Sequence, residues 1–407
     1  MSAWGPMAAA AGSAGSAGSA GSAGSAGSAG SAGSAVPIVG LDGGQGFPGY
    51  SGLWPNPMLA NSLVLVRDLL TSGSVQTAQA TPKDLPELPK WQQNSEKLLP
   101  KGSDQTLLRL QPNVRAALAE MELLQHLTFD RDQEGTDSVR RQASMSQSTN
   151  AKIVTLAAPY RDEFVQQLEQ VFAFADLRAE RSGEILSQVV PQTAYWSAIA
   201  ALTPERHRYT LELLGIGLRF AMMVVMRFKL MLNCPRPGEY TPLVQPMVLT
   251  PGYSAYPSGH ATEAYFAAEL LAALHEVANN IAGVDPAKPV ASSLRGQLKR
   301  LAYRVAENRV VAGLHFPVDS LAGQLLGGAM ARYFIWSCTV GSGPKDFWSG
   351  AKLPNTATDL GKGAQPCLDT DEKAYLSPGE GKPQPGERRP VLSMLWTKSI
   401  GECTNAS

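Results

Sequence analysis

Between residues 151 and 335 apolar positions recur at helical spacing, in blocks separated by proline, glycine and polar breaks. The spacing predicts helices over about 160–175, 183–201, 204–232, 260–281, 292–312 and 317–335. Breaks fall at Asp285-Pro286 and Lys288-Pro289, at Cys234-Pro235-Arg236-Pro237, and between Pro242 and Pro257. Upstream, Leu107, Leu108, Leu110, Val114, Ala117, Leu118, Met121 and Leu124 give a further helical pattern. The polar run from Thr128 to Asn150 reads as an exposed loop. No stretch alternates like a half-buried strand over more than four residues. The pattern predicts an all-α helical bundle.

The ends of the chain are different in kind. Residues 12–35 are eight Gly-Ser-Ala repeats with almost nothing to bury, and are expected to be a disordered linker. Residues 36–103 are rich in Pro, Gly, Gln and Asn, with one helical patch near Met58–Leu70, and read as an irregular wrap over a core. After Gly341 periodic apolar residues become sparse, which predicts a tail packed over the bundle. The expected organisation is therefore a linker (1–35), an N-terminal extension (36–150), a helical catalytic domain (151–340) and a C-terminal tail (341–407).

Composition narrows the function. The formal net charge is zero and charged residues make up 17% of the 407, which speaks against nucleic-acid binding or a polybasic membrane contact. Glu212, Arg219, Arg227 and Lys229 interrupt the most hydrophobic stretch, 209–232, so no transmembrane helix is predicted. The first residues lack the basic and apolar regions of a signal peptide. A soluble protein is expected, cytoplasmic or exported by a non-classical route, and the chain is compatible with a homo-oligomer. Cys234, Cys338, Cys367 and Cys403 show no zinc-ligand spacing; free thiols and one disulfide among the last three both remain open.

Three clusters carry candidate chemistry. In the first, Lys229 near the end of a helix is followed by Arg236, held extended between Pro235 and Pro237; a point charge and a planar fork together suit phosphate-like anions. In the second, Tyr253-Ser-Ala-Tyr-Pro-Ser258-Gly259-His260 delivers a histidine to a helix start, where Ser258 Oγ and the Gly259 N–H can donate to an oxyanion and His260 can act as general acid/base. In the third, Arg309 ends a helix at Gly313, and Asp319 lies four residues after His315, placed to hold one ring nitrogen. Each cluster alone also has a plain structural reading: a helix-terminal cation, a serine cap, a histidine paired with an acid. Their coincidence favours a site. His126, His207 and His275 have no such company and read as surface or core-edge residues.

Lys-x6-Arg-Pro, Pro-Ser-Gly-His and Arg-x5-His-x3-Asp, in this order over 229–319, resemble the signature of the type 2 phosphatidic acid phosphatase/vanadium-dependent haloperoxidase superfamily, whose fold is a helical bundle. The resemblance implies that Lys229, Arg236 and Arg309 bind the equatorial oxygens of phosphate or vanadate, with Ser258 and Gly259 completing the shell. It implies His260 as acid/base, Asp319 as the residue orienting His315, and His315 as either phosphatase nucleophile or axial vanadium ligand. One departure is Asn308, where family members often have serine.

The resemblance leaves two chemistries. In a haloperoxidase, vanadate is the cofactor, hydrogen peroxide and halide are the partners, Lys229 assists as a polarising cation, and the product is a hypohalous acid equivalent. In a phosphatase, no cofactor is needed and the partner is a small phosphate ester, hydrolysed through a phosphohistidine. The missing transmembrane pattern and the long helical lead-in place the haloperoxidase first. Bromoperoxidases often carry a histidine seven positions before the second-motif histidine, and here that position is Tyr253. A non-catalytic oxyanion binder is the third reading.

Overall fold

The computed structural model describes residues 104–131, 141–147, 152–189, 192–283, 289–339, 349–352, 376–378 and 389–404. The Gly-Ser-Ala repeats, the helical patch near Met58–Leu70 and Cys367 lie outside the described residues. The chain divides into two compact units, one holding Gln45–Arg115 and the other Met1–Gly44 with Ala116–Ser407. Described residues of the first form helix α1 (Asp104–Leu108) and the start of helix α2 (Pro112–Leu124).

In the second unit the expected helices are present: α3 (Arg161–Phe174), α4 (Arg178–Ser187), α5 (Thr193–Ala200), α6 (Arg208–Leu232), the short α7 (Pro237–Tyr240), α8 (Gly259–Ile281), α9 (Pro289–Val311) and α10 (Pro317–Cys338). The single helix expected over 183–201 is two, α4 and α5, separated around Gln188 and Gln192. A further helix, α11 (Pro390–Thr404), lies in the stretch read as a tail and packs on α6, α8 and α10. Its Val391, Leu392, Leu395 and Trp396 are buried. Glu402 on α11 accepts from Tyr209 N (3.0 Å) and Thr210 N (2.9 Å), satisfying the first free N–H groups of α6.

The exposed loop expected over 128–150 is corrected. Strands β1 (Leu127–Arg131) and β2 (Gln142–Gln147) pair antiparallel there, and β2 pairs with β3 (Lys152–Ala157). Strands β4 (Ser349–Lys352), parallel to β3, and β5 (Leu376–Pro378) complete a five-stranded sheet in the order β1-β2-β3-β4-β5. The polar sequence of β2 misleads because Ser144, Ser146 and Gln147 are buried in the sheet. β3 escapes an alternation test because Ile153, Val154, Leu156 and Ala157 are all buried, as in a strand covered on both faces.

The bundle centres on α8, which packs against α6, α9 and α10. Close approach of α8 and α10 requires glycine: a Cβ on Gly327 would lie 2.3 Å from Thr262 O, and one on Gly323 would lie 2.7 Å from Ser258 O. This contact sets the start of α10 against the start of α8, where Ser258 N donates to Asp319 O (2.8 Å). On the other side, Gln167 of α3 accepts from Val318 N (3.0 Å), and the Phe164 ring packs at a tilt against Phe316, centroids 4.9 Å apart. The helix starts that carry the second and third motifs are thereby brought together. Among the described residues no helix is long and apolar enough to cross a membrane.

Candidate active site

Lys229 stands on the last turn of α6, and Asn233 ends the helix with a left-handed backbone (φ 44°). The buried ammonium donates to Ser254 O (2.7 Å) and Ala255 O (3.0 Å). Arg236 caps α7 in the extended conformation expected from its flanking prolines (φ −89°, ψ 161°). Its Nε donates to Tyr253 O (2.9 Å), its Nη1 to Leu314 O (3.0 Å) and its Nη2 to Ser254 O (3.4 Å). The Tyr253 ring lies 5.3 Å from Lys229 Nζ and 5.2 Å from Arg236 Cζ, so it supports both cations through its face. An ammonium has three N–H groups and a guanidinium five. Both cations thus keep donors that these carbonyls leave unused.

Ser258 is the N-cap of α8, its Oγ accepting from Ala261 N (3.4 Å), so the plain capping role exists alongside any other. Gly259 and His260 open the helix, where the first N–H groups lack intrahelical acceptors. His260 is buried and its Nε2 lies 2.9 Å from Gln188 O. A carbonyl only accepts, so Nε2 carries the proton and Nδ1 of the neutral ring is the acceptor.

Arg309 occupies the last turn of α9, which ends through Gly313 in the left-handed region (φ 76°). Arg178 fastens this end by donating to Val311 O (2.9 Å), Val244 O (2.8 Å) and Gln245 O (3.0 Å). Ile185, Val311, Ala312 and Leu314 pack beneath it. The Arg309 Nη2 donates to Ile185 O (3.1 Å) and Gln188 Oε1 (3.0 Å). Its Nε and Nη1 are buried with no acceptor among the described residues. After the turn, His315 Nδ1 lies 3.0 Å from Asp319 Oδ2, the contact that the four-residue spacing predicts. The same oxygen accepts from Phe316 N (2.9 Å).

The three motifs converge electrostatically. Burial first, then Arg236, Lys229, His260 and Arg309, lowers His315 well below the usual histidine range. Burial and Arg309 lower His260 to about 3. Burial and Arg236 lower Lys229, and burial lowers Arg236 and brings Arg309 to about 10. Burial raises Asp319 to about 7 against the opposing pull of the Phe316 N–H, Lys229 and Arg236. The site is thus a dry cluster of cations with two neutral imidazoles, and it gains most from an anion. Among the described residues no group of three or more His, Cys, Asp or Glu could hold a metal ion.

Two contributors escaped the sequence reading. Gln188 touches both Arg309 and His260, yet it follows α4 between Ser187 and Val189 with no motif to mark it. Glu263, one turn beyond His260, is buried with neither carboxyl oxygen partnered among the described residues. Burial raises its carboxyl well above the usual range against the attraction of Lys229. Asn308, the departure from the family pattern, donates to Glu184 Oε2 (2.9 Å) and Gln188 Oε1 (3.1 Å). Cys234, Cys338 and Cys403 are free and buried.

No curated protein matches the chain. A family model does: that of the PAP2 superfamily, over residues 210–340, from the first turn of α6 to just beyond α10. The span contains all three motifs and the helices that bring Lys229, Arg236, His260, Arg309 and His315 into one buried cluster. Residues 210–340 thus match the PAP2 superfamily, that of the type 2 phosphatidic acid phosphatases.

Proposed function

We propose that the protein is an oxyanion-dependent enzyme of the vanadium haloperoxidase kind, with vanadate held by Lys229, Arg236 and Arg309. The observation that carries this reading is the set of buried N–H groups left without acceptors, above all Nε and Nη1 of Arg309. Buried donors are rarely left unpaired, and a tetrahedral oxyanion satisfies several at once. The donor set therefore fits vanadate or phosphate. Bound vanadate would supply the activation of hydrogen peroxide for oxidation of halide.

The chain's own residues do the rest. Ser258 and Gly259 bring the start of α8, with its positive dipole end, to the anion. Asp319 accepts a hydrogen bond from His315 Nδ1, which leaves Nε2 of the neutral ring unprotonated, so that His315 would hold vanadate through that atom. His260, whose Nδ1 is the acceptor of the neutral ring, would take up or return a proton at the bound anion. The reactants of this chemistry are small, which agrees with a site whose His260 and His315 are each 2% exposed.

A second reading, a phosphatase for small phosphate esters, rests on the neutrality of His315, since a nucleophilic imidazole must be unprotonated. His315 Nε2 attacks phosphorus, the ester oxygen leaves with a proton from His260, and water then cleaves the phosphohistidine. The dianionic substrate raises the His260 pKa from its anion-free value and so charges the acid.

One purified sample, divided with and without orthovanadate, separates the readings. Each half is assayed for peroxide- and bromide-dependent halogenation of an activated diketone, and for p-nitrophenyl phosphate hydrolysis. Vanadate-dependent halogenation with little hydrolysis is expected; hydrolysis inhibited by vanadate puts the phosphatase first. His315→Ala is expected to abolish either activity, and full retention would remove the site assignment.

A further inference from the structure

The side chain of Gln188 is fixed by a chain of contacts that begins outside the site. Arg304 donates to Glu184 through Nε and Nη2 (both 2.8 Å), and this pairing lowers the Glu184 carboxyl to about 2. An ionised carboxylate only accepts, so the Asn308 atom 2.9 Å away is the donor Nδ2. Arg181 supports that orientation by donating to Asn308 Oδ1 (3.4 Å). Asn308 Nδ2 also reaches Gln188 at 3.1 Å, and Arg309 Nη2 reaches the same Gln188 atom at 3.0 Å. Two donors facing one atom make it the carbonyl oxygen, and flipping the amide would oppose N–H to N–H.

The other end of the amide, Gln188 Nε2, is then a donor committed to a direction away from Asn308. It has no partner among the described residues, although Gln188 is 1% exposed. It sits beside the Arg309 guanidinium, whose Nε and Nη1 are orphaned in the same way. The main-chain carbonyl of the same residue holds His260 Nε2 (2.9 Å). We propose that Gln188 is a further ligand of the oxyanion site, its Nε2 donating to an oxygen of the anion that Arg309 binds. This rests on the oxyanion reading above. Asn308 then acts as a positioning residue, because its side chain aims the Gln188 amide.

The test compares wild type, Gln188→Met, Gln188→Glu and Arg309→Met. Isothermal titration with inorganic phosphate and with orthovanadate gives affinity, and thermal melting checks the fold. Glutamine-selective ¹⁵N labelling follows the Gln188 side-chain amide, assigned by its loss in Gln188→Met. A donor bond to an anion predicts affinity about tenfold or more weaker in Gln188→Met. Gln188→Glu keeps the acceptor for Asn308 and Arg309 but loses the donor, and is expected to bind as weakly. The wild-type amide protons are expected to shift on saturation with phosphate, a response that a purely structural glutamine would not give. Unchanged affinity in both Gln188 variants, or an amide unmoved by saturating anion, overturns the assignment while leaving the oxyanion site standing. Failure of wild type to bind either anion, or binding indifferent to Arg309→Met, overturns the oxyanion reading and this inference with it. Should the variants not fold, the wild-type amide, assigned instead by triple-resonance experiments, decides alone.

Discussion

His260 and Asp319 are driven from their usual ionisation in opposite directions, and the consequences for stability have opposite signs. In the folded chain His260 titrates at about 3, against 6.5 for the unperturbed side chain. Between those values the unfolded chain binds the extra proton, so stability falls as pH drops from 6.5 towards 3, by up to about 1.4 kcal/mol per unit. Asp319 rises from 3.8 to about 7, so in that window the folded chain holds the extra proton and stability falls as pH rises. Comparing His260→Gln with wild type isolates the first effect. Urea unfolding midpoints measured from pH 7 to pH 4 are expected to show a flatter acid decline in the variant; parallel declines would mean that His260 is not the buried neutral group described. At this scale the sequence was informative wherever spacing implies contact: the His315–Asp319 pair follows from one helical turn. Gln188 and Glu263 were illegible because burial, not spacing, makes them unusual.

At the scale of elements, the site depends on how α8 and α10 meet. Gly323 and Gly327 let α10 lie against the first turns of α8, so that Ser258 and Asp319 share a backbone hydrogen bond. Gly327→Val is expected to destabilise the fold by at least about 1–3 kcal/mol, the usual range for overpacking, because the added atom meets the Thr262 carbonyl. It is also expected to lower oxyanion affinity by displacing the start of one helix from the other. Urea unfolding and phosphate titration of the variant check both; an unchanged midpoint would contradict the close crossing. The helices themselves were legible, since prolines 235, 237, 289 and 317 and Gly313 mark their ends and apolar spacing marks their faces. The strands over 127–157 were not. β2 buries serine and glutamine whose backbones are satisfied by ladder pairing, and β3 buries both faces, so neither shows the two-residue period. Helix α11 was missed because it follows a long stretch of Gly, Pro and Lys that reads as tail, and only its docking on α6, α8 and α10 explains its burial.

For the whole molecule, a net charge of zero conceals a local excess. Lys229, Arg236 and Arg309 are buried together, and each has its pKa lowered chiefly by burial. An anion bound among them raises all three and the two histidines with them, so binding must take up protons. Tungstate, a dianion that does not itself titrate near pH 8, is the suitable probe. Calorimetric titration at pH 8 in buffers of different ionisation enthalpy is expected to show net proton uptake. Net proton release would contradict the burial-lowered groups of the cluster. The same linkage stabilises the fold, by about 2.7 kcal/mol when free anion is at a hundred times its dissociation constant.

The central claim is that Lys229, Arg236 and Arg309 surround one oxyanion next to His315. An anomalous difference map from a crystal soaked in tungstate locates that anion directly. The account predicts one strong peak bounded by the Lys229 ammonium, the two guanidinium groups and His315 Nε2. A peak elsewhere with none at His315, from a protein that binds tungstate in solution, would contradict it.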